Sequence, residues 1–384
     1  MDKFIDRKNT SSVKWDGMKA VFGKDDLLPM WVADMDFRPP EQVLEAMKHR
    51  LEHGIFGYTI VGDSTENAIV SWIKKRHRWE IKPAWLRYSP GVVPSIGTAI
   101  QAFTEPGDKV LLQSPVYTPF FNMIENNMRE VVNSPLQMKN GRYEIDFNDF
   151  EEKLKSGVKL FLLCSPHNPG GRVWTKDELV TMAELCRKYG VIIASDEIHA
   201  DLVAPPFKHI PIGSIEPSYA DFTLTFMAPS KTFNLAGLQS SFMVVPNEDM
   251  RKKISEIHMK EGFFTLNTFG TIAMEAAYLH GEQWLDDVLA YIRSNIEFVK
   301  TELAANLPEL EVIEPEGSYL IWIDCSETGL EDKELREKLL EKGKLAVNFG
   351  DAYGPGGENF IRLNIACHRS IVEEGLKRLK QAFS

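Results

Sequence analysis

Residues 159–199 read KLFLLCSPHNPGGRVWTKDELVTMAELCRKYGVIIASDEIH, and the fold can be read from this stretch. Lys159–Cys164 is a short apolar run with no polar alternation, as expected of a strand buried on both faces. Ser165–Gly171 is rich in Pro, Asn and Gly and reads as a loop. Thr175-x-x-Glu178 is a capping-box pattern, in which each side chain satisfies a backbone N–H at the start of a helix. The helix it opens runs over Lys176–Tyr189, and Gly190 closes it as a glycine C-cap. Val191–Ser195 is a second buried run. Strand, helix and strand in this order make one parallel crossover unit.

The same pattern extends on both sides. Lys109–Gln113, Phe222–Phe226 and Ser241–Val245 are further apolar runs between helical stretches. Residues from about 90 to 245 are therefore expected to form a mostly parallel sheet between two layers of helices. After Val245 three helical stretches follow, at 247–261, 267–280 and 282–306, the last long enough to bridge domains. Strands Ser318–Ile323 and Asn359–Asn364 then mix with helices Glu331–Lys342 and Ile371–Ala382, an α+β pattern. The N-terminus is polar up to Asp26 and apolar over Leu27–Phe37. The expected fold class is α/β, with a large domain and a smaller α+β domain built from both chain ends. Residues 1–45 would form an arm and part of the small domain, 46–285 the large domain, and 286–384 the rest of the small one.

A chain of 384 residues is too long for one ordinary core, which fits two domains. With 43% hydrophobic and 26% charged residues the composition is that of a globular protein. A net charge of −11 disfavours nucleic acid or an anionic membrane as main partner. No apolar run approaches bilayer length, and Met1–Thr10 lacks the apolar segment of a signal peptide, so the cytoplasm is the expected location. Cys164, Cys186, Cys325 and Cys367 form no C-x-x-C pair. They read as buried thiols, and no metal site is expected.

Chemistry-bearing residues gather at the ends of these strands. Lys231, in Ala228-Pro229-Ser230-Lys231-Thr232, follows the run Phe222–Phe226. A lysine there points into the crevice where open α/β sheets bind ligands, although a solvated loop lysine fits the same position taken alone. Asn168 follows Lys159–Cys164 and offers an amide, or simply forms a turn. Asp196 follows Val191–Ser195 and offers a carboxylate, or caps a helix. Gly91-Val92-Val93-Pro94-Ser95 precedes a helix expected to begin at Pro94, whose N-terminal N–H groups suit a phosphate.

This ordered set resembles the fold-type I, aminotransferase-like family of pyridoxal-5′-phosphate (PLP) enzymes, over nearly the whole chain. The resemblance implies that Lys231 holds PLP covalently and acts as base, and that Asp196 pairs with the pyridine nitrogen. Asn168 and His199 would bind the ring oxygen, with His199 standing where many members have tyrosine. Tyr117 would stack on the ring. Val92, Val93 and Ser230 would bind the phosphate. Arg362, in Phe360-Ile361-Arg362-Leu363-Asn364, would clamp the substrate α-carboxylate, with a strand-end salt bridge as its plainer role. Ala33 would donate a backbone N–H to the same carboxylate. Tyr58, counted with the catalytic set, would reach the phosphate of the neighbouring subunit in a homodimer. Two positions depart from the family pattern. Gln239 stands where many members have a phosphate-binding arginine, and Ala228 where many have Ser or Thr.

Val13-Lys14-Trp15-Asp16, Leu28–Phe37, His53–Tyr58 and Ser195–Leu202 are closer to one branch, the cystathionine β-lyase or C–S lyase enzymes. That likeness implies β-elimination from L-cystathionine or another cysteine S-conjugate. An aminotransferase would use the same residues. A PLP-fold protein with an added regulatory binding role is a further alternative.

Overall fold

Residues 3–203 and 205–384 are described by the structure, a computed structural model. Seven strands form its main sheet, in the order Leu86–Ser89, Ser241–Val244, Thr223–Met227, Ile192–Asp196, Val158–Cys164, Lys109–Leu112, Glu130–Asn133. Ser241–Val244 is antiparallel to both its neighbours, and all other pairs are parallel. The strand Val158–Cys164 is covered on both faces, which is why its sequence does not alternate. Leu160, Leu162 and Cys164 pack on one face with Val92, Ile96 and Ile100 of the helix Val92–Phe103. Phe161 and Leu163 pack on the other with Leu179, Met182 and Cys186 of the helix Lys176–Tyr189. Each such side chain contributes about 1.5–3 kcal/mol by leaving water.

The capping box of Thr175 and Glu178 is formed, and Gly190 ends that helix at φ 68°. The three later helices are Glu248–Glu261, Thr268–His280 and Glu282–Asn306. A second, antiparallel sheet runs Glu311–Val312, Leu320–Asp324, Phe360–Asn364, Asn348–Phe349. Both chain ends build this part. Leu28–Pro29 pairs in parallel with Leu345–Ala346, the Asn364 N–H donates to the Met30 carbonyl, and the Asp36 N–H donates to the Ala366 carbonyl. The helix Arg369–Phe383 covers this region with Val372, Leu376 and Leu379.

Several boundaries differ from the sequence reading. The helix expected from Pro94 starts at Val92, with Gly91 as its N-cap. Pro94 fits at the third position because that N–H has no partner within the helix in any case. The stretch expected as one helix over 331–342 is an α-helix only over Asp332–Glu337, followed by a π-helical turn over Lys338–Lys342. Leu86–Ser89 and Glu130–Asn133 carried no apolar run. They are the two edge strands, only partly buried, so their sequences need not be apolar. Among the described residues no helix is long and apolar enough to cross a membrane. No cluster of His, Cys, Asp or Glu among them is placed to hold a metal.

Candidate active site

The sheet strands deliver their C-terminal ends to a cavity of about 240 Å³. Register sets the alignment: Asp196 lies beside Cys164 on one strand and Phe226 on the next, so the Asn168, Asp196 and Lys231 segments leave the sheet side by side. The loop after Cys164 turns tightly at Gly170, where a Cβ would stand 2.6 Å from the Tyr143 ring. Only glycine permits that approach.

Lys231 is half-buried on a short turn, Pro229–Thr232, and its Nζ donates to the Ala33 carbonyl at 2.7 Å. Burial, helped by the Arg362 charge, lowers its pKa to about 8, against the opposing pull of Asp34 and Asp196. Asp196 is 4% exposed. Its Oδ1 accepts from the Ile198 N–H at 3.1 Å, and Oδ2 makes no hydrogen bond among the described residues. Burial raises its pKa to about 7, although the Ile198 bond and the Lys231 charge act in the other direction. His199 is buried and its pKa is pushed down to about 3, first by burial and then by the Lys231 and Arg362 charges. It is therefore a neutral imidazole at pH 7, and its Nδ1 is buried without a partner.

Arg362 is 4% exposed and has no acidic partner among the described residues. Its terminal nitrogens donate to Asn168 Oδ1 (2.9 Å), Asn348 Oδ1 (2.7 Å) and the Trp31 carbonyl (3.1 Å), and Nε is left without an acceptor. The guanidinium lies over the Tyr353 ring, 5.3 Å from its centre. The strand-end salt bridge considered for it is absent among the described residues. A buried cation held only by neutral groups is a site for an anion.

Gly91, Val92 and Val93 line the cavity with the start of the helix Val92–Phe103. Its free N–H groups and dipole favour a phosphate there. Ser230, Gln239, Ser240 and Tyr117 also line it. The residues fit PLP on three counts. A buried carboxyl without a cationic partner suits a protonated ring nitrogen, a lysine of lowered pKa suits an aldehyde, and the helix start suits a phosphate.

Of the residues read from the sequence, all but Tyr58 lie in or beside this one cavity. Ala33 is there, but the part it offers is its carbonyl, which accepts from Lys231 and from Tyr319 Oη at 2.9 Å. No described hydrogen bond uses its N–H. Tyr58 does not line the cavity and is fully exposed on its own chain. Sequence reading missed Tyr319, Asn348 and Ser240. Asn348 is the Cα partner of Arg362 on the adjacent strand, a relation that pairing creates and no motif announces.

Comparison with known proteins agrees with this geometry. The model of the family "Aminotransferase class I and II" matches residues 25–379. Cystathionine beta-lyase PatB of Bacillus subtilis (strain 168) is 48% identical over 384 residues, 100% of this chain and 99% of the relative. A PLP-bound protein of Clostridium difficile 630, provisionally described as an aminotransferase, superimposes with a TM-score of 0.98 at 47% identity, covering 100% of this chain and 99% of that one. The PLP-bound C–S lyase of Staphylococcus hominis gives 0.94 at 35% identity, covering 100% and 97%. With its family signature spanning nearly the whole chain and its strand-end residues converging on one cavity, the protein belongs to the aminotransferase class I and II family.

Proposed function

We propose that this protein is a PLP-dependent carbon–sulfur lyase that cleaves L-cystathionine, or a related cysteine S-conjugate, with water to a thiol, pyruvate and ammonia. The observation that carries the reading is the placing of Arg362, buried and without an acidic partner among the described residues, against the cavity residue Asn168, with a Lys231 amine of pKa lowered to about 8 lining the same cavity. One group is ready for a carboxylate and the other for proton transfer beside it. The names of the B. subtilis and S. hominis proteins support elimination at sulfur.

Bound PLP would supply an electron sink for the negative charge left at Cα. Lys231 would hold the cofactor and, once free, take the Cα proton as general base. Asp196 would keep the ring nitrogen protonated. Asn168, through its amide N–H, and His199 would hydrogen-bond the ring oxygen, and Tyr117 would stack on the ring. Val92 and Val93 N–H groups and the Ser230 hydroxyl would hold the phosphate. With Gln239 in place of a cation, that end relies on backbone and hydroxyl donors. Arg362 would fix the substrate carboxylate and so orient the substrate for proton removal by Lys231, a positioning effect. A thiolate then leaves Cβ.

In this reading residues 46–285 carry the cofactor, while 1–45 and 286–384 close over the substrate. The active unit is a homodimer in the cytoplasm. Tyr58, exposed on its own chain, completes the phosphate site of the partner.

The aminotransferase alternative keeps the support of the C. difficile protein. Purified protein incubated with L-cystathionine separates the two. Thiol and pyruvate formed over many turnovers without a keto acid establish the lyase. Turnover that needs a keto acid and releases no thiol establishes the aminotransferase.

A further inference from the structure

Outside the cavity lining, two buried carboxylate–imidazole pairs lie next to its two central residues. Glu197, directly after Asp196, is 1% exposed. Its carboxylate meets His209 Nε2 at 2.7 Å and accepts from Ser195 Oγ (3.0 Å) and the Ile212 N–H (3.2 Å). Asp201, five residues after Asp196, is 6% exposed. Its Oδ1 meets His77 Nε2 at 2.9 Å and Trp72 Nε1 at 3.0 Å, and its Oδ2 accepts from Thr232 Oγ at 2.9 Å. The two imidazole rings stand edge to face, 5.6 Å apart. Thr232 is the residue after Lys231 and is 1% exposed.

The chain of bonds therefore links the lysine turn to the turn that carries Asp196 and His199. That second turn is closed on itself by Ala200 N–H to the Glu197 carbonyl and Leu202 N–H to the His199 carbonyl, both 2.9 Å. Burial alone would raise the Asp201 carboxyl. The His77 hydrogen bond and charge, with Thr232 and Trp72, outweigh it and hold the group below the ordinary carboxylate range. Three directional donors on a buried carboxylate fix its position, because leaving any one unpaired is costly. A lysine side chain is long and loses much rotamer freedom when held, so the geometry of its nitrogen depends on how firmly its Cα is fixed.

We propose that Asp201, supported by His77, is a positioning residue of this enzyme: through Thr232 it holds the Lys231 turn in register with the Asp196–His199 turn. This rests on the roles proposed above for Lys231 and Asp196. Asp201 touches neither cofactor nor substrate, and its effect passes through Thr232.

The test compares Thr232→Val and Thr232→Ser with the wild-type holoenzyme. Valine keeps the shape and removes the hydroxyl, whereas serine keeps the hydroxyl. Thr232→Val is expected to lower kcat about tenfold, the equivalent of one hydrogen bond, with KM within about twofold. It is also expected to change the visible circular dichroism of the bound cofactor, and Thr232→Ser is expected to restore both. The dichroism is read on the holoenzyme without substrate, so it stands even if L-cystathionine proves not to be the substrate. A Thr232→Val protein that melts at lower temperature but keeps wild-type kcat and dichroism overturns the proposal and leaves Asp201 a purely structural residue. Should Thr232→Val fail to fold, Thr232→Ala, which also lacks the hydroxyl but adds no apolar bulk, is read by the same two outcomes.

Discussion

Arg362 donates from a strand of the small sheet to Asn168 Oδ1, on a loop of the large sheet, at 2.9 Å. The bond turns Asn168 so that its oxygen is used and its amide N–H₂ is left to donate. It also joins the proposed carboxylate clamp to the proposed cofactor contact.

Removing the clamp should separate binding from chemistry. Arg362→Ala is expected to raise KM for L-cystathionine about 10–100-fold, the range of a charge-assisted hydrogen bond. Arg362→Lys should recover little, because an ammonium cannot reproduce the planar fork. Unchanged KM in both variants would move the carboxylate site elsewhere.

Lys231→Ala should abolish nearly all turnover, since it removes both the cofactor's covalent attachment and the base. Borohydride treatment of the wild-type protein should fix the cofactor to the Lys231 peptide. Labelling of another lysine would refute the assignment.

Asp196→Asn keeps the shape and loses the charge that retains the ring proton. Elimination should fall by about three orders of magnitude or more, roughly 4 kcal/mol, while cofactor remains bound. Near-normal activity, checked alongside the cofactor absorbance, would assign the ring proton to another group.

Capture of PLP by the cofactor-free protein should depend on pH through Lys231. The amine must be unprotonated to attack an aldehyde. With its pKa lowered to about 8, it is largely protonated below that value and largely free above it. The capture rate should therefore rise with pH and level off above about 8, falling about tenfold per unit well below it. A rate still climbing at pH 10 would mean that the lysine keeps its ordinary basicity.

Mixing two crippled chains tests the partner's role. Lys231→Ala and Tyr58→Phe proteins, unfolded and refolded together, should give about half mixed dimers by random pairing. Each mixed dimer would hold one intact site if Tyr58 serves the other chain. Activity should then recover to roughly a quarter of wild type, provided that Tyr58→Phe alone is strongly impaired. No recovery, with mixed dimers shown to be present, would return Tyr58 to a local packing role.

The sheet was legible wherever its strands are buried on both faces. Leu160–Cys164 and Ile192–Ala194, buried or nearly so on both faces of the sheet, are unbroken apolar runs in the sequence. The edge strands Leu86–Ser89 and Glu130–Asn133 escaped notice because partial burial relaxes that demand. The helix Val92–Phe103 starts two residues before the proline that suggests its start, since a proline is tolerated anywhere in the first turn and marks no single position.

For the site, Lys231, Asp196 and Asn168 could be found from the sequence because each sits in a short motif at or just after the end of a buried strand, where local chain direction fixes where the residue goes, whereas Arg362 lies in the middle of the strand Phe360–Asn364 and was named by the family resemblance alone. What the sequence determined by itself is therefore the alternation of buried strands and capped helices, and the residues at their ends, all encoded within a few neighbours. The tertiary structure alone decided that Tyr319 meets the Ala33 carbonyl, that Asn348 pairs with Arg362, and that Asp201 is held by His77 and Thr232. Those partners are 14 to 286 residues apart in the chain. Their contacts arise from sheet pairing and from the packing of distant segments against one another, and no local pattern carries that information.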